Sequence, residues 1–311
     1  MKRQLKKAFT MIELILVMVV LGVVASMSAT IISQVYASYI IQRAMHDSTT
    51  KVELAASILY NHLSNRVAIT TVGRNEDDNI DIKHVSEILP TDTFSVLEWY
   101  GVAIDSFNAG AWNGFCDVLD FNGTTTARIS TPGSNLGLLS TIVENTSIST
   151  PATTVGDMAI IFSDQFFNRV ASPSVAYDPL CMGYQNTSCI ATVQGVISGT
   201  TIITLDQNYV NMRLSEQYKL VQSAYAIVPV AQSEGDLFDL ELRLDYQPWL
   251  GENYFDETTP RRVLLENVSV FRFSGIGDTI RFKLCVDERI GTKSDGTPEF
   301  VSICKEKAVI R

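Results

Sequence analysis

The chain has 311 residues, 46% hydrophobic and 19% charged, with a formal net charge of −10. That length and apolar content suffice for a sizeable core and exclude a disordered chain. The acidic balance argues against a nucleic-acid binder, which needs a basic footprint, and three histidines with five cysteines leave little material for a multi-ligand metal centre.

The charge and the hydrophobicity are spread unevenly. Residues 1–8, MKRQLKKA, carry Lys2, Arg3, Lys6 and Lys7 and no acid, whereas no residue from Leu14 to Gln42 is charged. A basic start before about 20 insertable residues predicts a membrane segment with its N-terminus in the cytoplasm. A secretory signal peptide would place a small-residue cleavage site after the apolar run, and Ala25-Ser26-Met27-Ser28 suits that role poorly. Glu13 fits neither a signal peptide nor a plain anchor. An ionised carboxylate at the front edge of an apolar run is costly unless it is paired, and a free α-amino group made by cleavage just upstream would pair it.

Lys6-Lys7-Ala8, then Phe9-Thr10-Met11-Ile12-Glu13-Leu14 and an apolar run containing Gly22, resembles the leader of type IV pilins and type II secretion pseudopilins. The resemblance implies cleavage by prepilin peptidase between Ala8 and Phe9, with methylation of Phe9. Glu13 and Gly22 then fall in the segment that mediates assembly, Glu13 pairing with the N-terminal amine of a neighbouring subunit. The chain departs from the family pattern by having Ala8 where Gly is usual, and by lacking a proline late in the apolar segment.

Beyond the apolar run, Val52, Ala55, Ala56, Leu59, Leu63 and Val67 recur at steps of three and four, which predicts a continuing amphipathic helix. One helix from Phe9 to about Ile69 would be about 90 Å long; the alternative is two helices broken near Ser48-Thr49-Thr50. The expected organisation is a leader at 1–8, a membrane or filament-core helix at 9–32, an amphipathic helix at 33–69 and a β-rich unit at 70–311.

From residue 70 the period shifts towards two. Phe238, Leu240, Leu242, Leu244 and Tyr246 alternate with Asp239, Glu241, Arg243 and Asp245, predicting a strand with one buried and one wet face. Val268 to Phe273 and Ile280 to Val286 predict a hairpin around Gly275-Ile276-Gly277-Asp278. The fold class is therefore α+β, with an antiparallel sheet. The stretch at 121–155 is dominated by Thr, Ser, Gly and Asn, and long surface loops are expected at about 105–155. VLLENVSVFRF with IRFKLCV, and SEQYKLVQSAYAIVPV, loosely resemble large minor pilins of the mannose-sensitive-haemagglutinin type.

A pilin's globular part lies in an oxidising compartment, where cysteines pair. Cys285 and Cys304 lie on neighbouring expected strands and form one candidate disulfide; Cys181 and Cys189, flanking MGYQNTS, form the other. Cys116 is left over as a buried thiol. His46, His62 and His84 stand beside no nucleophile motif, no glycine-rich phosphate loop is present, and Glu76-Asp77-Asp78 and Asp287-Glu288 lack the alternating spacing of a calcium loop. No catalytic residue, metal or cofactor is expected. The resemblance implies a structural minor pilin or pseudopilin, partnered by prepilin peptidase, other pilin subunits and the inner membrane. The alternative is a pilus-borne adhesin using loop aromatics such as Trp112 and Phe115.

Overall fold

The computed structural model describes residues 10–75, 81–89, 91–118, 127–162, 179–206, 215–233, 236–292 and 296–310. Two compact units emerge: residues 1–50 with 288–303, and residues 51–287 with 304–311. A single helix, α1 (Met11–Ser64), contributes to both and runs 54 residues without interruption, about 80 Å at 1.5 Å per residue. No break occurs at Ser48-Thr49-Thr50; the Thr49 and Thr50 hydroxyls donate to carbonyls one turn back, at 2.6 and 2.9 Å. Threonines can sit mid-helix in this way because the side chain finds an acceptor within the helix itself.

In the larger unit the helix stripe foreseen from its spacing faces the core as far as Leu63; the helix stops at Ser64, short of the expected Ile69, so Val67 lies beyond its end in a separate cluster. Val52, Ala55, Ala56, Leu59 and Leu63 are buried in one cluster with Trp99, Leu240, Phe271 and Phe282. Small Ala55 and Ala56 let the backbone approach closely, while Leu59 and Leu63 each contribute about 2 kcal/mol of burial.

The remaining elements are β1 (Val72–Arg74), β2 (Ile82–His84), β3 (Val96–Val102), α2 (Ile104–Asn108), β4 (Asp117–Val118), β5 (Arg128–Ser130), α3 (Leu136–Thr146) and β6 (Ala159–Phe162). They continue with β7 (Ala191–Val196), β8 (Ile202–Leu205), β9 (Tyr218–Ala231), β10 (Phe238–Tyr246), β11 (Arg261–Ile276), β12 (Thr279–Thr292) and β13 (Pro298–Val309). Among the described residues the strands join in one 13-stranded sheet, ordered 13-12-11-10-9-6-7-8-5-4, with β3 also on β9 and β1 between β2 and β3. β9 is its axis. One edge pairs with β10, and the other is shared end to end by β6, opposite Tyr218 to Val221, and β3, opposite Val221 to Ile227.

Two expectations need correction. The stretch 105–155 is not a run of loops: it holds most of α2, β4, β5 and all of α3, whose Leu136, Leu139 and Val143 are buried. On β10 the wet face is incomplete, because Arg243 and Asp245 are buried. The pairing register with β9 slips between Leu244 and Tyr246, so Asp245 sits in a bulge at φ 60°. Arg243 is covered by the following loop and donates to the Tyr254 carbonyl at 3.1 Å.

Candidate functional site

The N-terminal half of α1 is the part of the chain least suited to water. Every residue from Thr10 to Ile40 is exposed, including Leu14, Ile15, Leu16, Val19, Leu21 and Val23. The helix is long and apolar enough to cross a membrane, and none of its most apolar stretch is buried. A polar environment would penalise such a surface, whereas a helix satisfies its own backbone bonds and can enter lipid.

Its start is fixed by the Thr10 carbonyl, which accepts from the amides of Glu13 and Leu14 at 3.1 and 3.2 Å. Glu13 occupies the first turn, where a carboxylate is favoured by the partial positive charge of the helix N-terminus. It is exposed and, among the described residues, has no ion-pair partner. Gly22 faces open space: a Cβ there would meet nothing within 4 Å. Ala8 and Phe9 lie outside the described residues.

The family model described as the prokaryotic N-terminal methylation motif matches residues 3–29. The N-terminus is type IV pilin-like. No curated protein and no solved structure matches the chain. The match spans Arg3, Lys6, Lys7, Ala8, Phe9, Glu13 and Gly22. It points to a membrane-anchored structural protein that is recognised by prepilin peptidase and associates with other pilus subunits.

The larger unit carries two disulfides and a buried ion pair among its described residues. Disulfides join Cys181 to Cys189 and Cys285 to Cys304. Gly183, at φ 105° inside the first loop, lets the backbone pass the Trp249 backbone, where a Cβ would come within 3.0 Å. Cys116 is a buried free thiol. Burial, with Asp117 and Glu216 adding to it, pushes its pKa up to about 12, the opposite of what a nucleophile needs.

Arg74 and Glu98 form a buried ion pair, completed by Tyr246, whose hydroxyl donates to Glu98 at 2.8 Å. The guanidinium lies over the rings of Tyr184 and Tyr254, 5.0 and 5.6 Å from their centroids. Burial pushes the Glu98 carboxyl up, against the pull of Arg74 and Tyr246. This cluster is closed to solvent and joins side chains from β1, β3 and β10.

Of the histidines, His46 is exposed and His62 packs beside Tyr225 at 5.0 Å. His84 accepts from the Ser86 amide on Nδ1 at 3.3 Å, which leaves Nε2 to donate to the Ala68 carbonyl at 3.2 Å. Among the described residues no three His, Cys, Asp or Glu side chains converge as metal ligands would. Glu76-Asp77-Asp78 lies outside those residues, and Asp287 accepts from the Ser269 hydroxyl at 3.0 Å.

Trp112, which the adhesin alternative would place in a contact loop, is a core anchor. It is buried, and its indole N–H donates to the Ala103 carbonyl and the Ser106 hydroxyl. Phe115 is exposed. Sequence reasoning missed Asp245. Its Oδ2 accepts from the Ser147 hydroxyl and the Ile148 and Ser149 amides at 2.5 to 2.8 Å, and its Oδ1 accepts from Thr153 at 3.0 Å. The usable signal was local: a Ser/Thr-rich segment with spare donors needs a buried acceptor.

Proposed function

We propose that this chain is a minor pilin or pseudopilin. Its leader is cut between Ala8 and Phe9, Phe9 is methylated, and the helix from Phe9 to about Ile32 bundles with those of other subunits in a filament. Before assembly the same helix anchors the protein in the bacterial inner membrane, with the globular unit on the far side from the cytoplasm. One observation carries this reading. Glu13 is the sole charged residue between Lys7 and Arg43, and it stands exposed and unpaired in the first turn of an apolar helix. An acid in that place is costly in lipid unless a cation meets it. The methylated amine of a neighbouring Phe9 supplies that cation, and a desolvated pair of this kind selects one axial register.

The adhesin reading loses Trp112 to the core and keeps Phe115 as its exposed aromatic, so it is the weaker of the two. Glu13→Ala tests the assembly mechanism. The variant should be cleaved and inserted like the parent chain, yet fail to co-purify with filament subunits. Normal incorporation would overturn the pairing mechanism.

A further inference from the structure

The outer face of the β11–β12 hairpin carries a charge pattern that the fold itself does not use. Arg272 and Lys283 are direct register partners, and Arg281 lies opposite Ser274. Like charges placed opposite each other across an antiparallel pair destabilise it. All three cations are exposed, and none has an ion-pair partner among the described residues. They line a groove of ≈ 540 Å³ whose other wall includes Ile88, Leu89 and Phe94. The acids lining it are Asp92, already held by Lys83 and the Leu89 amide, and Glu306. The groove is therefore cationic on one side and apolar on the other.

The complementary chemistry is displayed elsewhere on the same unit. Between Arg243 and Arg261 the sequence contains no Lys or Arg. Within that span Leu250 and Phe255 are each 47% exposed, and beside them stand exposed Glu257 and Glu252, the latter accepting from the Gln247 amide on Oε2 at 2.8 Å. The loop is rigid. Thr259 Oγ1 donates to the Asn253 carbonyl at 2.7 Å, the Asn253 amide donates to Asp256 at 2.7 Å, and Arg243 holds the Tyr254 carbonyl. A preorganised loop loses little conformational entropy on docking. None of the groove's lining residues comes from this loop, so a single copy does not fill its own groove.

We propose that the groove receives the 250–257 loop of a second copy of this chain. Phe255 and Leu250 cover exposed Leu89 and partly buried Ile88, while Glu252 and Glu257 meet Arg272, Arg281 and Lys283. Aromatic anchors ringed by charge pairs are the usual energetic centre of such contacts. The two surfaces differ, so the contact is heterologous and each docked copy leaves a free groove and a free loop, which extends into an open chain unless the rotation closes a ring.

The test uses the full chain in detergent, in two differently tagged pools carrying Ser274→Cys and Thr258→Cys respectively. A short bismaleimide should give a mixed-tag dimer in the mixture and no dimer in either pool alone, Cys116 being buried. Arg272→Glu with Lys283→Glu in the first pool should lower the yield about tenfold, as for a broken interfacial charge pair. Adding Glu252→Lys with Glu257→Lys to the second pool should restore it. Absence of the mixed-tag product, an equal yield of Ser274→Cys with itself, or reversal without rescue would each overturn the proposal. The assay needs neither leader cleavage nor helix bundling, so its failure and that of the Glu13 test are separate results.

Discussion

Lys307, near the end of the last strand, donates to the Ser57 hydroxyl of α1 at 2.9 Å across a separation of 250 residues. The same ammonium lies 3.0 Å from Glu53, which Lys305 also reaches at 2.6 Å. Two strand lysines thus straddle one helix carboxylate. These two lysines hold the Glu53 carboxyl below its ordinary value of 4.5. A depressed carboxylate stabilises the fold above its unfolded pKa and loses that contribution as pH falls through the folded one.

Lys307→Met should therefore lower the melting temperature slightly at neutral pH, and the difference from the parent should vanish in high salt. It should also shrink as the pH is taken below the ordinary carboxylate range. A difference that persists in high salt would assign the effect to the hydrogen bond with Ser57 and not to the charge pair.

Asp245 should be far less replaceable. Its carboxylate satisfies the Ser147–Thr153 segment from inside the unit, and its own amide donates to the Ser223 hydroxyl at 2.8 Å. Asp245→Ala strands several buried donors and should cost about 3 kcal/mol. Asp245→Asn keeps an acceptor and tolerates φ 60°, so it should cost clearly less. Hydrogen exchange at the Ile148 and Ser149 amides is the local readout. Unchanged protection in the alanine variant would show that the loop is held by other contacts.

Burial pulls both His62 and His84 below their ordinary value of 6.5. For His84 the Ala68 carbonyl works in the opposite direction without overcoming it. The folded protein thus binds their protons less readily than the unfolded chain does. Their contribution is complete above the unfolded pKa and is lost as pH falls. Urea midpoints should fall between about pH 7 and pH 5.5, a window where few other side chains titrate. The double variant His62→Gln/His84→Gln should flatten that slope; an unchanged slope would assign it elsewhere.

Gly22 separates fold from assembly. A side chain at this position meets nothing in the single chain, and Gly→Ala in a helix interior is worth about 1 kcal/mol of helix stability. Gly22→Leu should leave insertion and the melting of the globular unit unchanged. If helices pack closely there in a filament, co-purification with other subunits should drop sharply. Equal incorporation would show that Gly22 faces no neighbour.

The helix and the antiparallel sheet were legible because their periods are long and regular: the steps from Val52 to Leu63 and the alternation from Phe238 to Leu242 each name the buried face. The middle of the chain misled by composition. Leu136, Leu139 and Val143 carry a helical spacing, but Gly, Ser and Thr around them outweighed it. Arg243 and Asp245 followed an alternation that a bulge cancels, and a bulge is set by what the 248–259 loop and the Ser147–Thr153 segment bring to the strand from elsewhere. The Glu13 region stood out because a lone charge in an apolar run is conspicuous without any tertiary context. The groove beside Arg272 did not, since its two walls come from segments nearly 180 positions apart.

Val52 and Val309 are buried in the same cluster, so the core opened by the helix is closed by the final strand. Synthesis runs in the other sense of time. The apolar helix leaves the ribosome first and can enter the membrane at once, whereas the stripe from Val52 to Leu63 has no complete partner until the last dozen residues have followed. The globular unit is thereby committed to folding late, on a chain already tethered, and a truncation that removes β13 would leave an anchored protein with an open core.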